Sequence, residues 1–255
     1  MKSLTAIAIP LAFIALLLAI WEGVCRLTGV PAYLLPPPSA IGVSLAEGWP
    51  LLMSSAWNTL FTALTALVVA SLLASSLALL TALSPVIERA IQPVAVTLQV
   101  TPVIAVAPLV IIWAGLDHPE RAVVVLATIV AFFPIFSGAV TGLKASDPDL
   151  ERLFDLYGAS RWQKLLRLRL PSAVPFLLEG HKVAAGLAVI GAVIGEFVAG
   201  SGGAQGLAWR ILEAGNRLQT ARMFAALFVL AVMAALLHAL LQMAERRALV
   251  WWRGR

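Results

Sequence analysis

Three stretches of this chain, Leu60–Leu83, Pro93–Leu116 and Ala122–Leu143, contain no charged residue. Each meets the roughly 20 residues that carry an α-helix across about 30 Å of hydrocarbon. Three more stretches are similar: Ile7–Ile20 is apolar around Pro10, Val183–Gly195 is uncharged, and Met223–Leu241 carries only His238. A backbone in lipid must satisfy its own polar groups, which leaves helices or closed barrels. Barrel strands alternate apolar and polar residues over about 10 positions, and these runs do not alternate. The chain therefore reads as an all-α integral membrane protein of six transmembrane helices, at about 5–26, 58–82, 92–114, 121–143, 174–198 and 222–243. With 61% hydrophobic and 12% charged residues, it lies far from soluble domains, where about 25% are charged. The first run, after Lys2, could be mistaken for a signal peptide; its length and the lack of an A-x-A-type site favour a retained helix.

Six spans put both termini on one side. That side holds twelve basic residues, among them Arg89, Lys144, Arg152, Arg161, Lys164, Arg167, Arg169, Arg246 and Arg247; the other holds five, Arg26, Arg121, Arg210, Arg217 and Arg222. The excess places both termini in the cytoplasm. It also explains the basic balance without nucleic acid. A single cysteine, Cys25, excludes an internal disulfide and reads as a small packing residue, and no Cys/His cluster has metal spacing. On the outer side, Pro36-Pro37-Pro38 breaks any helix, and Ile41–Ser55 fits a short surface helix. Nothing divides residues 1–255 into more than one domain.

The cytoplasmic loop, 144–173, is the informative segment. Asp147 and Pro148 suit a helix start. Leu150, Leu153, Phe154 and Tyr157 then form one apolar stripe, and Gly158 suits a helix end. Ser160 and Gln163 have capping-box spacing for a second helix, with Trp162, Leu165 and Leu166 apolar, Arg161, Lys164 and Arg167 basic, and Pro171 as its stop. Two amphipathic helices joined at a glycine can lie on anionic lipid or plug a groove on a soluble partner.

The spacing from Gly158 to Leu168-Arg169-Leu170-Pro171 resembles the cytoplasmic signature of ABC-importer permeases: an acidic-Ala-Ala triplet, three residues, Gly, nine residues, Ile-x-Leu-Pro. Arg152, Leu153 and Phe154 occupy the triplet, so that part departs from the pattern, and Glu151 lies one position early. Thr101–Leu116, Leu34–Ala40 and Gly195–Ile211 resemble segments of the nitrate/sulfonate/taurine branch. The resemblance implies a type I importer permease fold. It also implies a second permease copy and a periplasmic binding protein. Two ATPase subunits would dock at Leu150, Arg152, Leu153, Phe154, Tyr157, Gly158, Ala159 and Ser160. The permease itself would not be an enzyme: ATP and Mg would be used on the ATPases, in keeping with the absence of a G-x-x-x-x-G-K-[ST] loop here. The solute would be a small organic molecule or oxyanion.

Path candidates follow from the spans. Gly191 and Gly195 form a GxxxG that serves helix packing, a dimer face or a pore. Glu196 is an ionisable group near a span end, lining a gate or paired with Arg210 or Arg222. Pro102 and Pro108 interrupt the third span, and Gln99 and Asn58 are polar side chains able to meet solute. An ion-coupled secondary transporter or channel is the rival reading. It calls for buried acids in several spans, whereas only Glu22 and Glu196 come near. A membrane-embedded enzyme calls for a convergent polar cluster that the sequence does not show.

Overall fold

The computed structural model describes residues 2–115, 117–200 and 205–253. Leu116, Arg255 and 201–204 of the glycine-rich segment lie outside the described residues. Those described are helical, with no strand among them. The helices are α1 (Lys2–Thr28), α2 (Pro38–Glu47), α3 (Trp49–Leu83), α4 (Pro85–Val100), α5 (Val103–Ala114), α6 (Pro119–Lys144), α7 (Pro148–Leu156), α8 (Arg161–Lys164), α9 (Leu170–Ala199), α10 (Leu207–Asn216) and α11 (Thr220–Arg253). Five helical segments are long and apolar enough to cross a membrane, or six if the bent pair α4–α5 is one span.

That pair corrects the third predicted span. Residues 92–114 do not form one helix: α4 starts at Pro85 and α5 turns away from it by 103°. The break is at Thr101-Pro102, where Pro102 caps α5 with extended backbone (φ −63°, ψ 110°). Proline has no N–H to continue the ladder and pushes the residue before it out of the helical region. Pro93, Pro108, Pro134 and Pro175 sit inside helices, so proline alone does not break a span here.

A second correction concerns Pro171. It does not stop the helix begun at Ser160. The chain runs from α8 through a π-helical turn, Leu165–Arg169, directly into α9, with Pro171 in the first turn of α9. The widened turn carries the chain past a residue that lacks a donor. The expected outer helix Ile41–Ser55 is also redrawn. α2 ends at Glu47, and Trp49 already opens α3.

The core is built on small residues. α3 turns Ala63, Ala66, Ala70, Ala74 and Ala78 inward at helical spacing, all essentially buried. Between α6 and α9 the backbones nearly touch. A Cβ on Gly191 would lie 2.6 Å from Ala127 Cα, and one on Gly180 2.7 Å from the Pro134 carbonyl. Lipid gives helices no hydrophobic reason to associate, so dispersion at close approach must do it. Many large apolar side chains face outward, as Phe13, Leu17, Phe61, Leu72, Phe228 and Leu236 do, while Leu126, Ile135 and Leu207 are buried. α1 leans on α11 through an edge-on contact of Trp21 with Phe224.

Candidate coupling and translocation site

The elbow between α6 and α9 is assembled from local hydrogen bonds. Asp147 accepts from the Asp149 N–H at 2.8 Å and opens α7. At the other end the Gly158 N–H donates to Asp155 and the Ala159 N–H to Phe154, both at 3.0 Å. That reciprocal closure requires a left-handed residue, and Gly158 has φ +66°. Ser160 and Gln163 then form the capping box in full.

A long-range tie fixes the elbow to the membrane helix. Arg169 donates to both oxygens of Glu151, from Nε at 2.7 Å and from a terminal nitrogen at 3.2 Å. Ser146 Oγ donates to Oε1 at 2.8 Å. The Arg169 hydrogen bonds hold the Glu151 carboxyl below its ordinary range, against the opposing effect of partial burial. Lys164 bonds Asp155. α7 is thus clamped to the π turn that leads into α9. Outward it presents Leu150, Leu153, Leu156 and Tyr157, the last two more than four-fifths exposed.

At the opposite end of α9 from the elbow, two carboxylates do parallel work. Glu196 of α9 is 2% exposed. Its Oε2 accepts from the Ala208 N–H at 2.8 Å. Its Oε1 accepts from Thr59 Oγ1 at 2.7 Å, and that hydroxyl accepts from the Leu207 N–H at 2.9 Å. Glu22 of α1 accepts from Ser39 N–H at 3.0 Å and Ser39 Oγ at 2.8 Å. Each acid therefore caps the first turn of a short helix, α10 or α2, whose amides have no intrahelical partner.

Two cavities follow the bend. One of about 610 Å³ lies against α6 and α9, with Gln99, Ser137, Thr141 and Glu179 among its lining. One of about 510 Å³ shares Ser137 and Thr141 and reaches the Glu88–Lys144 ion pair. A third, of about 530 Å³, brings Asn58 to Glu196.

Residues 70–250 match the family described as binding-protein-dependent transport system inner membrane component. The chain belongs to that family. It is an ABC-transporter permease, a multi-pass component of the inner membrane. This permease is 35% identical to the formylaminopyrimidine transport permease protein of Halalkalibacterium halodurans, over 95% of each chain. It is 34% identical to the riboflavin transport system permease protein of Chloroflexus aurantiacus, over 96% of this chain and 90% of that one. The taurine transport system permease protein of Escherichia coli is 28% identical, over 96% and 90%.

The predicted residues of this permease fall into separate places. Leu150, Leu153 and Tyr157 are exposed on the elbow and Phe154 is half-buried, so the outward ridge runs through Leu156 instead. Arg152 pairs with Asp149. Leu165 and Leu168 point inward, while Trp162 and Leu166 are exposed. Gly191 and Gly195 pack against Ala127 and Val123 of α6. Glu196 is held by neither expected arginine: Arg210 bonds Glu213 and Ser55, and Arg222 bonds Gln219. Gln99 lines the large cavity, Asn58 the one beside Glu196, Pro102 marks the break and Pro108 sits in α5. Sequence reasoning passed over Glu151, Arg169, Thr59 and Glu179. Glu151 alone had a signal, as an acid one position from the family triplet.

Proposed function

We propose that this permease forms half of the membrane path of an ATP-driven importer for a small organic solute or oxyanion, delivered by a periplasmic binding protein. Two copies pair, each with six crossings, α4 and α5 counting as one broken span, and with both termini in the cytoplasm. Two ATPase subunits dock on the elbow and supply all use of ATP and Mg. Their closure moves α7, and the Glu151–Arg169 clamp carries that movement through the π turn into α9.

The observation that carries this reading is the elbow: a short helix with an exposed apolar ridge, fixed at both ends and clamped to a membrane helix. Such a lever suits a groove on a soluble partner. The rival, an ion-coupled transporter, needs free intramembrane acids, whereas Glu22 and Glu196 are engaged as helix caps and Glu179 of α9 is bonded to Lys182. The test is Tyr157→Asp, a change at an exposed position, in the permease expressed with its ATPase. We expect unaltered membrane insertion and about a tenfold or greater loss of co-purified ATPase. ATPase recovery equal to the parent's would overturn the docking role and favour an elbow lying on lipid.

A further inference from the structure

The large cavity differs from the rest of the membrane domain in its chemistry. Gln99, Ser137, Thr141 and Glu179 give it hydrogen-bonding groups, and Phe133 and Phe176 give it rings. Among the described residues that line it, none is Lys, Arg or His. Glu179 lies roughly 30 Å from the outer end of α9 at about 1.5 Å per residue, which puts it at the inner margin of the hydrocarbon. Its side chain is 56% exposed. An ionisable group at that depth and that open needs water or a charged partner. The adjacent cation, Lys182, is shared: it bonds Glu179 and also lies 3.2 Å from Glu245. Two carboxylates around one ammonium leave the inner mouth negative.

The charges lining the connected cavity do not correct this balance. Lys144, at the foot of the connected cavity, is bonded to Glu88. The carbonyl end of α4 and the amide end of α5 both meet the cavity, through Gln99 and Val103, so their partial charges oppose one another. We infer that this cavity passes neutral or cationic ring-bearing solutes and disfavours oxyanions, because an anion inside it faces the Glu179 carboxylate, whose Lys182 is shared with Glu245, and meets no Lys, Arg or His in the lining. The two phenylalanine rings add to the same preference, since ring faces attract cations and stack on planar heterocycles. A volume of about 610 Å³ falls among cavities that hold molecules with rings, roughly 300–1,000 Å³. The inference rests on the importer reading and narrows its solute class.

The potential can be read without knowing the solute. In a Cys25→Ala background, Gln99→Cys supplies one thiol facing the cavity. The permease–ATPase complex is labelled with a trimethylammonium methanethiosulfonate and, separately, with a sulfonatoethyl methanethiosulfonate. Each rate is divided by that reagent's rate with 2-mercaptoethanol. We expect the cationic reagent to be favoured about a hundredfold or more, since one unit charge roughly 10 Å away at an effective dielectric near 20 changes each reagent's rate more than tenfold, in opposite senses. Adding Glu179→Gln should bring the ratio down severalfold. A ratio at or below unity, or a thiol that neither reagent reaches, overturns the inference. The parent ratio needs no Glu179 variant, so poor folding of Glu179→Gln leaves the test intact. ATPase that co-purifies in the same preparation while the ratio fails sinks the solute class alone. ATPase absent from the unmutated parent preparation sinks the importer reading instead.

Discussion

Thr59 and Glu196 stand 137 residues apart in sequence and share a 2.7 Å hydrogen bond where α3, α9 and α10 meet. The hydroxyl is a relay: it donates to the carboxylate and accepts from the Leu207 N–H. Three helices are thereby joined around one buried acid. Space there is fully used, since a Cβ on Gly206 would fall 1.9 Å from Glu196 Oε1.

Glu196→Ala should destabilise the permease by about 2 kcal/mol, because it leaves the buried Ala208 N–H unpaired and Thr59 with only its longer bond to the Ser55 carbonyl. Glu196→Gln should cost about 1 kcal/mol or less, since the carboxamide oxygen can take the Ala208 N–H while its NH₂ turns to the Thr59 oxygen. Thermal unfolding in detergent measures both. An alanine variant as stable as the parent would remove the capping role. A glutamine variant that is stable yet inactive in uptake would instead give the acid a part in transport.

The α6–α9 contact makes a sharper prediction. A Cβ at Gly191 meets the Ala127 Cα at 2.6 Å, and backbone cannot rotate away as a side chain can. Gly191→Ala should therefore lower the yield of monodisperse protein severalfold, and adding Ala127→Gly should not rescue it. Gly186, on the same helix, has nothing within 4 Å of its added Cβ, so Gly186→Ala should match the parent. Equal yields for Gly191→Ala and Gly186→Ala would mean that the two helices are not so closely packed in the membrane.

What the sequence made legible was local. Charge-free runs locate α3, α6 and α11 because the bilayer imposes length and composition on each segment separately. The elbow is legible for the same reason: Asp147-Pro148, Gly158 and the Ser160/Gln163 pair act within four residues of themselves. The long-range features were not legible. The Glu151–Arg169 clamp spans 18 residues and the Thr59–Glu196 bond 137, and either acid had several basic or polar residues to choose from. Proline gave an ambiguous signal. Pro102 breaks a span while Pro134 is absorbed within α6, and the difference depends on whether neighbouring helices leave room for a bend. The cavity at Glu179 is bordered by residues on both sides of that bend, Gln99 and Val103.

The elbow clamp should respond to acid in a defined sense. Glu151 lies on α7, outside the spans, and its bonds to Arg169 hold its carboxyl below the ordinary range. The folded elbow thus binds that proton less readily than the unfolded chain does. The stabilisation is fully present above the usual carboxylate range, near 4.3, and is lost as pH falls through the lower folded-state value. At neutral pH, Glu151→Gln should cost about 1 kcal/mol, as expected for a partly exposed pair with two aligned bonds. Thermal unfolding of parent and Glu151→Gln, compared from pH 7 downward, reads the effect. The gap between them should hold to about pH 5 and narrow in stronger acid. Arg169→Ala should show the same convergence, and the double variant should lose less than the two single changes summed. A gap that stayed constant into acid would mean that the pair contributes through packing rather than charge, and the clamp between α7 and α9 would lose its electrostatic basis.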